Sequence, residues 1–336
     1  MNFTASIIPG NYQIQIAKDE TILAAGIRHN LGLLYECRRG FCGTCQATLL
    51  SGEVSYPKGK PGRLIGADPN LCLMCQAVPL TDITLQVQEL IGYNQYPEPQ
   101  IITCTVHQKN QIAPDVTYLN LQLPAGQRLQ FLAGQYLEII LDEGSTRPFS
   151  IANAPYTDTS IELHIRNVPN GLFTSKLLPE IKIGNSLQVR APLGKFNLKP
   201  SERPLLFVAG GTGFSPIKGL IEQALQDNTE RQIYLYWGVR SQPDLYMPDL
   251  PQRWSREYPN LKFIPVLSQP NSEWTGRSGF VHQAVITDHP QPIQFDAYLA
   301  GPPVMVNAAQ HALTQGGLDP AHIFSDAFEF TTIQSN

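Results

Sequence analysis

Three regimes of hydrophobic patterning follow one another along the chain. Through residue 92 the apolar positions alternate in short runs, such as Tyr12-Gln13-Ile14-Gln15-Ile16 and Asp82-Ile83-Thr84-Leu85-Gln86-Val87. That period of two marks half-buried strands. Residues 20–30, Glu-Thr-Ile-Leu-Ala-Ala-Gly-Ile-Arg-His-Asn, read as a short helix between them. Strand-like runs then recur at 101–107, 116–123, 135–141, 147–152, 160–166 and 185–190, punctuated by Pro and Gly. Closely spaced strands with little helix predict a small antiparallel barrel. After Arg203 the pattern changes again. Pro204–Ala209 is continuously apolar, as in a strand buried on both faces, and a Gly-rich turn and a helix over about 215–227 follow. Further strands at 232–238, 262–267 and 296–301 continue the series. Strand alternating with helix predicts a right-handed parallel α/β sheet.

The expected partition is therefore a strand-plus-helix module at 1–92, a linker at 93–100, a β-barrel at 101–199 and an α/β domain at 200–336. The linker, Tyr93-Asn94-Gln95-Tyr96-Pro97-Glu98-Pro99-Gln100, is proline-bearing and aperiodic, the composition of a semi-rigid spacer. A chain of 336 residues with 28 prolines and 26 glycines suits such a multidomain, turn-rich body. Net charge is −4, which gives no nucleic-acid signal, and no polybasic run offers itself to a membrane surface. The first 92 residues balance seven basic against seven acidic side chains, whereas 200–336 carry eight and thirteen. Absence of an apolar run of transmembrane length and of a charged, cleavable leader makes the cytoplasm the expected compartment.

Chemistry enters with the cysteines. Five of six fall in the first 75 residues, and Cys37, Cys42, Cys45 and Cys75 form a C-x4-C-x2-C run with a distant fourth member, the plant-type [2Fe–2S] spacing. Gly40 and Gly43 lie where a tight loop must turn its amides inward to anionic sulfur. A zinc site built from Cys42, Cys45, Cys72 and Cys75 is the rival, but it strands Cys37 and leaves both glycines unexplained. Cys72 and Cys104 then read as small buried hydrophobes.

Two further segments bring in a family. Arg147-Pro148-Phe149-Ser150, after Ala133-Gly134-Gln135-Tyr136, resembles the R-x-Y-S signature of the ferredoxin–NADP reductase superfamily. The resemblance implies an FAD site. In it Arg147 meets the pyrophosphate, Ser150 faces the reactive edge of the flavin, and Phe149 stacks without the hydroxyl of the usual tyrosine. The segment His164-Ile165-Arg166-Asn167-Val168-Pro169-Asn170-Gly171-Leu172-Phe173-Thr174 resembles that family's second flavin segment, so His164, Arg166, Gly171, Phe173 and Thr174 join the candidates. His164 also has a plain structural reading. Gly210-Gly211-Thr212-Gly213-Phe214-Ser215-Pro216, between a buried strand and a helix, matches the family's G-G-x-G-x-x-P turn for a nicotinamide dinucleotide. Gly238 and Arg240 end the next strand, where the adenosine half is expected, and Arg240 either meets a 2′-phosphate or is a surface charge. Gly301-Pro302-Pro303-Val304-Met305 resembles the element beside the nicotinamide, with Ala300 in place of its cysteine. Phe328, in Phe324-Ser325-Asp326-Ala327-Phe328, is the candidate aromatic over the flavin.

The order of modules is similar to that of the iron–sulfur flavoprotein reductases serving oxygenases and CDP-6-deoxy-Δ3,4-glucoseen dehydration. Arg147–Pro155, Tyr236-Trp237-Gly238, Trp274-Thr275-Gly276 and Gly279–Val285 bring the latter group nearest. The resemblance implies a β-grasp ferredoxin domain, an antiparallel β-barrel FAD domain and an α/β parallel-sheet NAD(P) domain. It implies electron flow from NAD(P)H, with NADH preferred, through FAD and a [2Fe–2S] cluster to an oxygenase or dehydratase component, Ser150 and Phe328 standing at the reacting centre. A monomer suits such a donor. Two alternatives remain open at this stage: a self-contained reductase of free flavin, quinone or metal with an incidental cluster, and a zinc-stabilised binding module joined to a flavin domain.

Overall fold

The computed structural model describes residues 2–328 apart from 11, 30, 36, 37, 89–96, 158, 170 and 228. The chain divides into two compact units, Met1–Pro97 and Glu98–Asn336. Residues 93–96 of the expected linker, together with Cys37, lie outside the described residues.

Unit 1 is built from β1 (Phe3–Ile8), β2 (Tyr12–Ile16), α1 (Ile22–Arg28), β3 (Gln46–Ser51), β4 (Leu71–Leu73) and β5 (Ile83–Val87). The sheet runs β2-β1-β5-β3-β4, with β1 parallel to β5 and the other pairs antiparallel, a β-grasp arrangement. Strand alternation does the sorting. Ala5, Ile7, Ile14, Ile16, Leu85 and Val87 all face one core, where Ile22, Leu23 and Ala25 of α1 cover them. The cysteine loop hangs between α1 and β3, on the flank of this core.

Unit 2 opens with β6 (Gln100–Ala113), β7 (Val116–Gln122), β8 (Tyr136–Ile140), β9 (Thr146–Ser150), β10 (Ser160–Arg166) and β11 (Ser186–Leu193). These form one antiparallel sheet ordered β9-β8-β11-β6-β7-β10. Just past β9 the Ala152 amide donates to the Glu162 carbonyl in β10 (2.8 Å), which draws the two edges together into a barrel. Its β6 is 14 residues long where the pattern predicts seven. Ile102, Cys104 and Val106 alternate inward, but from His107 onward both faces are polar, so periodicity had no contrast to report there. Two register shifts against β7 let this half continue as ladder.

The remainder is β12 (Leu205–Gly210), α2 (Phe214–Gln226), β13 (Ile233–Val239), α3 (Asp249–Glu257), β14 (Leu261–Leu267), β15 (Arg277–Ser278), α4 (Val281–Asp288), β16 (Asp296–Gly301), α5 (Pro303–Gln315) and β17 (Ile323–Ala327). All pairs are parallel in the order β15-β14-β13-β12-β16-β17. From β12 the chain leaves to one side toward β13 and later returns on the other as β16. The crevice beyond the carboxyl ends of β12 and β16 is thus the switch point where such sheets take ligands. β17, which the sequence pattern had not singled out, carries residues 323–327 back beside β16.

Candidate functional site

In unit 1, Cys45 and Cys75 are hydrogen-bonded, and Cys42 is near enough to act on Cys45 electrostatically. The Cys75 hydrogen bond, burial and Cys42 push the Cys45 thiol far up, and a bound cation would replace its proton. Among the described residues these sulfurs do not by themselves close a three-ligand metal group, and the fourth predicted ligand, Cys37, is outside that set. The loop fits a thiolate cluster in its backbone. Gly40 and Gly43 have φ of +83° and +79°, the left-handed region that turns amides inward. A side chain on Gly43 would also meet Arg63, whose Nε lies 2.5 Å from the Cβ position. Cys72 is buried in β4 opposite Ala47, where burial holds its thiol up at about 12, and among the described residues it joins no three-ligand group. Cys104 is fully buried in the barrel core.

In unit 2 the predicted flavin residues gather where the barrel meets the α/β domain. Arg147 and Phe149 lie on β9; the Arg147 guanidinium donates to the Thr146 carbonyl (2.9 Å) and the Ser145 hydroxyl (3.3 Å). Phe149 packs on buried Phe173, ring centroids 5.2 Å apart. Phe173 and Thr174 occupy a widened helical turn, Leu172–Leu177, after Gly171, and the Thr174 hydroxyl both accepts from the Val168 amide and donates to the Val168 carbonyl (3.1 Å each). Ser150 donates to the Asp326 carboxylate of β17 (3.2 Å), and its own carbonyl accepts from the Ser215 hydroxyl of α2 (3.3 Å). Phe328 follows two residues after Asp326, anchored by its amide to the Gly301 carbonyl (2.8 Å). Asp326 is a site residue that sequence reasoning passed over. The one available signal was its place inside the quoted C-terminal stretch.

The Gly-rich turn sits at the switch point. Gly210 ends β12 level with Gly238 of β13, and Gly211–Gly213 form a tight turn into α2. Glycine is required for close approach here: a Cβ on Gly213 would run into the Ala300 carbonyl of β16, and Gly301, at φ +141°, lies against the Gly210 backbone. The buried Trp237 indole N–H donates to the Gly211 carbonyl (2.9 Å) and its ring stacks on Phe214 at 4.0 Å, so the turn is pinned from below. A cleft of about 480 Å³ opens above it, lined in part by Gly238, Arg240, Phe280, His282 and Pro302. Burial lowers the His282 pKa, which keeps its ring neutral near pH 7. Arg240 is flanked by Asp244 (3.1 Å) and Asp115 (3.5 Å).

Two further candidates from the same segment have ion-pair and hydrogen-bond partners of their own. Arg166 pairs with Asp115 (3.0 Å) on the wall of this cleft, where β10 ends. His164 is buried with both ring nitrogens engaged, by Tyr246 (3.1 Å) and Glu162 (2.8 Å), so its structural reading holds. It belongs to a polar joint between barrel and α/β domain, in which Lys218 of α2 bridges Glu162 (3.2 Å) and Glu222 (2.7 Å).

Residues 7–80 match the 2Fe-2S iron-sulfur cluster binding domain, 103–198 the oxidoreductase FAD-binding domain and 207–311 the oxidoreductase NAD-binding domain. The CDP-6-deoxy-L-threo-D-glycero-4-hexulose-3-dehydrase reductase of Yersinia pestis is 37% identical over 313 residues, covering 92% of this chain and 93% of that protein. The chain belongs to the three-domain iron–sulfur flavoprotein reductases. Reductase component 1 of the terephthalate 1,2-dioxygenase of Comamonas sp. is 32% identical over 98% of both proteins. Among solved structures, the Amycolatopsis cytochrome P450 reductase GcoB superposes with a TM-score of 0.82 at 31% identity, over 97% of this chain and 98% of that one. As a reductase of this family, the chain is an NAD(P)H-dependent oxidoreductase with FAD and a [2Fe–2S] cluster, and it transfers electrons between them. No helix among its described residues is long and apolar enough to cross a membrane.

Proposed function

We propose that this reductase takes electrons from NADH and delivers them singly to a separate dehydratase acting on a CDP-6-deoxyhexulose. The observation that carries this choice of partner is the 37% identity, over nearly the whole of both chains, to the Yersinia pestis reductase named for that step. An oxygenase component is the second reading, favoured by the likeness to the terephthalate dioxygenase reductase and to GcoB. Either role suits a monomeric cytoplasmic donor.

When bound, NADH supplies a hydride, FAD accepts the electron pair, and the cluster carries one electron at a time. The protein's part is placement and tuning. In this reading Cys37, Cys42, Cys45 and Cys75 ligate the cluster, with Gly40 and Gly43 turning amides to its sulfurs. Arg147, Gly171 and Thr174 serve the FAD phosphates, and Phe149 and Phe173 wall the flavin. Phe328 covers the ring from the C-terminal return. Ser150 holds its hydroxyl proton on Asp326 (3.2 Å), which gives a polar pair at the flavin's reactive edge that can hold or pass a proton. Gly210, Gly211, Thr212 and Gly213 cradle the dinucleotide phosphates, Gly238 and Arg240 its adenosine half, and Gly301 and Pro302 its nicotinamide. Holding donor and acceptor in line excludes water and sets the near-attack distance.

The test is an anaerobic visible spectrum before and after NADH. Wild type is expected to bleach in both the flavin and the cluster bands, and Cys75→Ser in the flavin alone. Flavin bleaching with an untouched cluster in the wild type would turn the reading toward a self-contained flavin reductase.

A further inference from the structure

Charge within unit 1 is sharply sorted. The module as a whole is balanced, yet residues 38–66 hold five of its basic side chains (Arg38, Arg39, Lys58, Lys60, Arg63) against one acidic residue, Glu53. These residues belong to two segments that the fold joins into one face. Arg63 reaches across to the cysteine loop, its guanidinium donating to the Phe41 carbonyl (3.3 Å). Pro61 packs where a side chain on Gly40 would be, 3.2 Å from its Cβ position, so the 58–66 segment lies directly on the loop. From the other side the Gln76 amide, next to Cys75, donates to the Arg38 carbonyl (2.7 Å).

Lys58, Lys60 and Arg63 are all exposed on this face. So are two large apolar side chains beside them: Phe41 is 54% exposed and Ile65 73%. Phe41 stands between two cysteines of the loop, where a surface with no partner would favour a polar residue. Apolar anchors inside a ring of one charge are the anatomy of an interface, the anchors contributing affinity and the ring orientation and encounter rate. Among the described acidic groups Asp68 stands three residues beyond Ile65, its carboxylate accepting from the Asn70 amide (2.9 Å), and the others lie elsewhere. Asp82 accepts from the Thr4 amide at the far end of the sheet, and Asp19 and Glu20 precede α1.

From this face we infer that unit 1 docks, cysteine loop first, onto a protein whose electron-accepting centre is ringed by carboxylates around an apolar spot. The inference rests on the reading of the chain as a donor to a separate protein, and it specifies the chemistry of that acceptor. Phe41 and Ile65 enter the apolar spot; Lys58, Lys60 and Arg63 meet the carboxylates. Opposite charge steers encounter, so delivery should be fastest at low ionic strength.

The test uses the full-length holoprotein and two protein probes of opposite charge, acidic cytochrome b5 and basic cytochrome c. Stopped-flow reduction of cytochrome b5 is expected to be faster at low salt and to slow as salt is added, with cytochrome c showing the reverse trend. Lys58→Glu with Lys60→Glu, which leaves Arg63 on the loop, should slow cytochrome b5 reduction at low salt by roughly ten-fold and invert the salt trend. Lys18→Glu with Gln13→Glu and Gln15→Glu makes the same change in net charge at the opposite edge of the same sheet and should leave both unchanged. Cluster content is checked by the visible spectrum in each case. A second readout needs no electron transfer: calorimetric binding of redox-inert zinc-substituted cytochrome b5, weakened by the lysine pair and by Ile65→Ser but not by the control triple. Equal effects of the two charge-changing variants, or preference for cytochrome c, would overturn the proposal. Binding of the zinc protein with the expected variant pattern, but without reduction of either cytochrome, would uphold the face and count instead against the donor reading.

Discussion

At the scale of single residues, the charges lining the cleft bear on which coenzyme the proposed nucleotide site would take. A 2′-phosphate brings about two negative charges and is held where a cation is available to it. Here Arg240 is shared between Asp244 and Asp115, and Asp115 also binds Arg166, so two guanidiniums face two carboxylates. The neutral His282 adds no charge. NADPH would have to compete with carboxylates already in place, whereas the two hydroxyls of an NADH ribose meet no such penalty. NADH is expected to be favoured in kcat/KM by about ten-fold or more, the factor that about 1.4 kcal/mol confers. Asp115→Asn should narrow the ratio by releasing Arg166 and leaving Arg240 with Asp244 alone, mostly through a lower KM for NADPH. A ratio that does not move would mean that Arg240 never reaches the ribose.

At the scale of elements, helix α2 is tied to strand β10 by charge. Lys218 is buried and spans Glu162 and Glu222, so removing it leaves two carboxylates facing one another without their cation. Breaking a buried pair in this way costs about 3–5 kcal/mol. Lys218→Met should therefore lower the melting temperature of this region by about 10 °C, and adding Glu222→Gln should recover part of the loss. The same joint sets a pH dependence. Burial holds the His164 pKa below its ordinary 6.5, even against the pull of Glu162, so between those values the unfolded chain binds a proton that the folded one refuses. Stability falls as pH drops through that window. Glu162 acts lower still. Burial would raise it, but the His164 hydrogen bond and Lys218 keep it below 4.5, so its contribution is present above 4.5 and lost beneath. Glu222 has the opposite sign. Burial outweighs Lys218 and raises it, so protonation on descending toward 4.5 returns some stability. Between pH 7 and 5.5 the His164 effect is the one to read: a plot of melting temperature against pH should be flatter in His164→Gln than in wild type.

This joint also marks where the sequence stopped being informative. Strands with alternating faces, such as 12–16 and 160–166, are visible in the pattern because burial on one side leaves a local imprint. The cysteines are visible because ligand geometry fixes their spacing, and Gly210–Gly213 because a turn against a neighbouring strand tolerates nothing larger. Partners distant along the chain leave no such imprint. Ser150 and Asp326 are 176 positions apart, and Lys218 is 56 from Glu162, so neither pairing could be read locally. The Arg166 pairing with Asp115 was hidden for the same reason: its segment was recognised, but the partner lies 51 positions away and depends on where β10 ends.

At the scale of the whole molecule, the two compact units each close their own core. The buried cluster of unit 1 draws only on residues from Ala5 to Val87, and the three clusters of unit 2 only on residues from Ile102 to Ala327. The predicted flavin and nicotinamide residues lie entirely in unit 2, including the C-terminal return that carries Asp326 and Phe328. A chain of residues 98–336 should consequently fold and retain FAD. It should also reduce ferricyanide with NADH at a rate within about two-fold of the full protein, since each unit closes its own buried clusters. Its capacity to reduce a one-electron protein acceptor such as cytochrome b5 should collapse, because the cysteine loop has been removed with unit 1. The two assays together separate the roles of the units. If the shortened chain still reduced the cytochrome at full rate, electrons would be leaving from the flavin and the cluster would have no place in the path. If it lost ferricyanide reduction and flavin together, the self-contained cores seen here would be insufficient, and unit 1 would have to support the flavin domain as well as carry electrons from it.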